Sequence, residues 1–81
     1  MPERAPQVVL YTREGCRLCD HARDALRRLG RDARFDLRVL DVDADPALLD
    51  RYGEAVPVVT VDGVEVSTGR IDVAAVRRAL R

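Results

Sequence analysis

Two β-rich runs, Val58–Val61 and Val64–Ser67, are separated only by Asp62-Gly63. No other feature restricts the folds open to this chain as tightly. A two-residue connection makes a hairpin, and Asp-Gly is among the pairs that accept the positive φ angles such a turn needs. The two runs are therefore antiparallel neighbours. Upstream, the β-branched and aromatic run Val8–Tyr11 is parted by a helical pattern from a second run, Phe35 to Val42, in which Phe35, Leu37 and Val39 alternate with Asp36 and Arg38. Parallel strands need a crossover of this kind.

The helical pattern runs from Cys16 to Leu29, with Cys19, Ala22, Leu26 and Leu29 spaced by three, four and three. That spacing lines one face of a helix, and Gly30 is read as the C′ residue that stops it. Asp45-Pro46 reads as an N-cap followed by proline at the first helical position, opening a short helix over Ala47 to Tyr52 that Gly53 ends. Ile71 to Leu80 is expected to form a closing helix. The order is β-α-β-α-β-β-α, which predicts an α/β fold with a mixed four-stranded sheet covered by helices on both faces. One domain over residues 1–81 is expected, with a loose polar tail over residues 1–6.

The only two cysteines, Cys16 and Cys19, stand at the junction of the first strand and the first helix. A thiol in the first turn of a helix feels the partial positive charge of unpaired N–H groups, which favours the thiolate. Three residues on, the second thiol lies about one turn away, close enough to close a disulfide. Such a pair reads as a redox switch. Cys16, nearer the helix start, is the expected nucleophile, with Arg13 and Arg17 adding favourable charge. Cys19 shares the apolar face of Ala22 and Leu26 and is the expected resolving thiol. Arg17 beside the nucleophile should favour the reduced form and so make the disulfide more oxidising.

Other partners and chemistries are less well supported by the composition. Arginines balance acidic residues, 14 against 14, so nothing in the charge points to nucleic acid or an anionic membrane. No signal peptide or membrane-length apolar run is seen, and a cytoplasmic protein is expected, where thiols are kept reduced and a structural staple is disfavoured. No bound metal is expected. Structural zinc usually takes four ligands, and the single histidine, His21, falls roughly 160° from Cys19 and 140° from Cys16 around the helix.

Tyr11-Thr12 leading into Gly15-Cys16-Arg17-Leu18-Cys19, then Val56-Pro57-Val58-Val59, the Asp62-Gly63 hairpin and Gly69 before the last helix together resemble the glutaredoxin-like proteins of the thioredoxin superfamily. The small bacterial members and the redoxins serving ribonucleotide reductase are the nearest in pattern. The resemblance spans nearly the whole chain. It implies a thiol–disulfide oxidoreductase acting on disulfide-containing proteins or small disulfides, in electron transport and cell redox homeostasis. It also implies a cis bond before Pro57, with the backbone of Val56 pairing with substrate. No bound cofactor is implied; glutathione, another thiol reductant or thioredoxin reductase would donate electrons, and a monomer suffices.

For glutathione, the resemblance assigns Arg13 to a carboxylate, and Gly69 and Asp72 to the γ-glutamyl end. Asp72 reads equally as an acid at a helix start, and Arg13 as a solvated charge. The chain departs from the family's pattern at Ala55, where threonine is common, at Thr68-Gly69, where relatives show Gly-Gly, and at Arg17-Leu18 between the cysteines. Two other functions fit the same fold: an iron–sulfur carrier assembled from two chains and small thiols, and a binding module that docks partners at Val56-Pro57 without turnover.

Overall fold

The computed structural model describes residues 4–81. Its elements are β1 (Gln7–Thr12), α1 (Arg17–Leu29), β2 (Asp36–Asp41), a 3₁₀ turn (Val42–Ala44), α2 (Pro46–Tyr52), β3 (Val58–Val61), β4 (Val64–Thr68) and α3 (Val73–Ala79). The strands form one sheet in the order β2-β1-β3-β4. β1 and β2 are parallel, while β1–β3 and β3–β4 are antiparallel. The mixed sheet and the order of elements expected from the sequence are both present.

The hairpin turns as its residues require. Asp62 and Gly63 both hold positive φ, 49° and 85°. Asp62 also fastens the turn to the first strand, its Oδ1 accepting from the Gln7 N–H at 2.9 Å and its own N–H donating to the Gln7 carbonyl at 2.8 Å.

Helices cover both faces. On one, Ala22, Leu26 and Leu29 of α1 and Val76 of α3 pack against Val8, Leu10, Val59 and Val61 of the sheet. On the other, Val42, Tyr52 and Val58 form a smaller cluster with Tyr11, Leu48 and Val56 against it. Each fully buried aliphatic side chain contributes about 1.5–3 kcal/mol of transfer free energy. The Tyr11 and Tyr52 rings stack with centroids 4.2 Å apart, joining α2 to β1. Burial pushes the Tyr52 phenol upward, with the Arg51 guanidinium working against it, so the ring stays neutral.

The structure corrects four local expectations. Gly30 keeps right-handed helical angles, φ −62° and ψ −14°, and the chain leaves α1 through a further turn in which Ala33 N–H donates to the Leu29 carbonyl. α3 begins at Val73 because Asp72 adopts extended angles and caps it; Ile71 packs against the core from outside the helix. Val39, expected inside by alternation, is 39% exposed, because β2 is an outer strand with a neighbour on one side only. The expected tail falls partly on Met1–Glu3, outside the described residues, but Pro6 is tied down: its carbonyl accepts from the Asp36 N–H at 2.9 Å.

Candidate active site at the Cys16–Cys19 helix start

Tyr11 lies opposite Val58 in the antiparallel register. The chain leaving β1 and the chain entering β3 therefore meet at one end of the sheet, which brings the Cys16 loop and the Val56-Pro57 loop to the same end although some forty residues separate them. Gly15, with φ +76°, turns the chain out of β1 into α1 through a left-handed conformation that favours glycine.

Cys16 is the N-cap of α1, and its Sγ accepts from the Cys19 N–H at 3.1 Å. The sulfur thus occupies the position where Ser or Asp oxygen normally meets the unpaired donors of a helix. Cys16 and Cys19 are joined as a disulfide, with Cα atoms 5.2 Å apart. Cys16 is half-buried, whereas Cys19 is 1% exposed on the face of α1 that carries Ala22 and Leu26. This asymmetry is the one that a nucleophile and a resolving thiol need. Between them Arg17 is exposed, and Leu18 is 39% exposed.

The Val56–Pro57 bond is cis. Pro57 is buried, and its carbonyl accepts from the Gly69 N–H at 2.9 Å, a donor that also lies 3.3 Å from the Ala55 carbonyl. Gly69, at φ +69°, therefore ties the end of β4 to the proline loop, a role its sequence position did not signal. Val56 is left with a backbone N–H and carbonyl that make no hydrogen bond among the described residues.

The residues assigned to glutathione by resemblance are all engaged within the chain. Arg13 faces Asp43 side-on, Nε to Oδ2 at 3.2 Å and Nη2 to Oδ1 at 3.1 Å, and its Nη1 donates to the Gly53 carbonyl at 3.4 Å. Asp72 Oδ1 accepts from the Ala75 N–H at 3.0 Å, so its position at a helix start is used as a cap. His21 and Asp20 are exposed.

Three contributors escaped the sequence reading. Asp43 and the Gly53 carbonyl hold Arg13 from 30 and 40 residues away, with no local signal of it. Ser67, 8% exposed, accepts the Asp72 N–H at 3.0 Å and fixes the approach to α3. Ser67 points inward because β4 carries one extra residue, Val66, between the pairs Val59–Ser67 and Thr60–Glu65.

Gly53 also sits close to its own helix. A Cβ there would lie 2.5 Å from the Leu49 carbonyl oxygen and 2.8 Å from Leu49 Cδ1. Gly53→Ala is expected to force the end of α2 to move, at a cost of about 1–3 kcal/mol, read as a lower urea midpoint with unchanged slope.

The family model of the glutaredoxin-like domain matches residues 7–81. An uncharacterized protein of Mycobacterium tuberculosis is 38% identical over 72 residues, which is 83% of this chain and 74% of that protein. Among solved structures, a Nitrosomonas europaea protein determined by solution NMR superposes with a TM-score of 0.85 at 28% identity, over 100% of this chain and 98% of that one. The oxidized form of mitochondrial thioredoxin 3 from Saccharomyces cerevisiae matches with a TM-score of 0.70 at 18% identity, over 96% of this chain and 78% of that one.

Proposed function

Because this chain belongs to the glutaredoxin-like domain family, within the thioredoxin superfamily, we propose that it is a dithiol thiol–disulfide oxidoreductase working through Cys16 and Cys19. The observation that carries this reading is the disulfide at the start of α1, with one cysteine partly exposed and the other buried.

In the reduced protein the Cys16 thiolate attacks one sulfur of a substrate disulfide. A Cys16–substrate disulfide forms, the substrate bond breaks, and the departing thiolate takes up a proton. Cys19, as thiolate, then attacks Cys16 Sγ, which forms the intramolecular disulfide and releases the second substrate thiol. Two electrons pass from the pair to the substrate. Glutathione, another low-molecular-weight thiol, or thioredoxin reductase would return them.

Local groups support the first attack. The first-turn N–H groups of α1, one of them already pointing at Cys16 Sγ, favour the charged sulfur. The N–H and carbonyl of Val56, which have no partner among the described residues, would offer an extended substrate segment a short strand-like pairing, and exposed Leu18 would add apolar contact. Substrates would be protein or small disulfides.

The test is to equilibrate the protein in glutathione buffers of graded potential and count free thiols by alkylation, then to assay turnover with glutathione and with thioredoxin reductase separately. A single reversible two-electron transition, with turnover from at least one donor, is expected. Protein that never cycles, or that emerges coloured by an iron–sulfur cluster with its thiols occupied, would overturn the proposal.

A further inference from the structure

A groove of about 610 Å³ lies beside the active-site loop, lined by Arg13, Leu49, Asp50, Arg51 and the stretch Gly53, Glu54 and Ala55 that leads to Val56-Pro57. Arg13 stands three residues before Cys16, so a free guanidinium here would draw in any small thiol carrying a carboxylate. It is not free. Each of its three nitrogens has an internal partner, two on Asp43 and one on the Gly53 carbonyl.

Asp43 is itself held in place. Its N–H donates to Asp41 Oδ1 at 2.9 Å, which caps the 3₁₀ turn and sets the direction from which the Asp43 carboxylate meets Arg13. The second cation of the groove, Arg51, has a carboxylate 3.9 Å away on Glu65 and lies over the Tyr52 ring at 5.2 Å. The lining adds Asp50 and Glu54. The two cations and two carboxylates of the lining balance, and each cation is further paired with a carboxylate from outside it, Arg13 with Asp43 and Arg51 with Glu65, so the groove holds no surplus positive charge. Arg17 is not part of its lining.

We infer that Asp43 is a specificity residue: by closing Arg13 from within, it turns the site away from carboxylate-bearing small thiols and their disulfides. The inference rests on the oxidoreductase reading above and narrows it. Asp43 acts through Arg13 and touches no reacting atom, so its effect lies in discrimination between partners.

The experiment uses the full chain, reduced and freed of reductant, in single-turnover reactions with two probes. One is oxidised glutathione, which is anionic; the other is 2-hydroxyethyl disulfide, which is uncharged. In both, the protein dithiol becomes the Cys16–Cys19 disulfide and the probe becomes two thiols, so no further reductant enters. Alkylation of residual thiols gives the two second-order rate constants.

For Asp43→Asn the ratio of the glutathione constant to the neutral-probe constant should rise about three- to fivefold, the size expected from releasing one solvent-accessible ion pair. The rise should fade in high salt, and adding Arg13→Gln should return the ratio to that of the unaltered protein. A ratio that does not move, or that rises equally with Arg13 already removed, overturns the inference. Equal slowing of both reactions does so too, since it makes Asp43 a purely structural residue. If the unaltered protein reacts with neither probe, the oxidoreductase reading itself fails, and this inference with it.

Discussion

Replacing Cys16 with serine is expected to abolish disulfide turnover, whereas Cys19→Ser should react once with a disulfide and stall. A serine hydroxyl stays protonated at neutral pH, so helix-start N–H groups that favour a thiolate have no anion to act on. Cys19→Ser keeps the accessible sulfur, which still attacks, but nothing remains to resolve the mixed disulfide. The two variants separate cleanly by intact mass after exposure to a small disulfide: the Cys19→Ser protein carries one adduct, and the Cys16→Ser protein carries little or none. Adduct formation mainly in Cys16→Ser would reverse the assigned roles. The geometry argues against that reversal, because Cys19 is 1% exposed and Cys16 is half-buried.

The largest loss of stability is expected from Leu26→Ala. Leu26 is fully buried where α1 meets the sheet residues Val8, Leu10 and Val59. Truncation removes several methyl and methylene groups and leaves a cavity that rigid neighbours fill poorly, at a cost of about 2–5 kcal/mol. A chain of this length is stable by only about 4–12 kcal/mol, so this one change removes a large share. Urea unfolding should show a lower midpoint with an unchanged slope. Leu26 also stands on the helix face of Cys19, seven residues away, so the loss reaches the position of the resolving thiol. The exposed neighbour Arg27 provides the contrast, since its truncation should shift the midpoint by no more than about 0.5 kcal/mol. Equal effects at both positions would mean that the α1 face is not the main anchor.

The two predictions depend on features of different legibility. The apolar face of Cys19, Ala22, Leu26 and Leu29 is a spacing within one helix, and all four residues are buried as that spacing requires. The Asp62-Gly63 turn and the Asp45-Pro46 helix start are likewise interactions among near neighbours, and both formed in place. Boundaries were less legible. Whether Asp72 enters α3 or caps it turns on one residue's backbone angles, and local propensity separates those states weakly.

Arg13 shows where reading along the chain ends. From sequence it is a basic residue beside a nucleophile, equally suited to a ligand or to solvent. Its partners lie 30 and 40 residues away, and they reach it only because β1 pairs with β2 on one side and with β3 on the other. Gly69 is similar: its glycine is legible as a turn residue, but its hold on Pro57 depends on the register of β3 against β4.

The sequence alone determined the kinds of element, their order, the antiparallel hairpin and the placing of both cysteines at a helix start. Those follow from interactions that act within a few residues, through helical and strand periodicity and turn chemistry. Only the tertiary structure decided which charges pair, which backbone groups find no partner among the described residues, and that the extra residue Val66 turns Ser67 inward. Such outcomes depend on strand register and side-chain direction, where a shift of one residue exchanges every partner across the sheet.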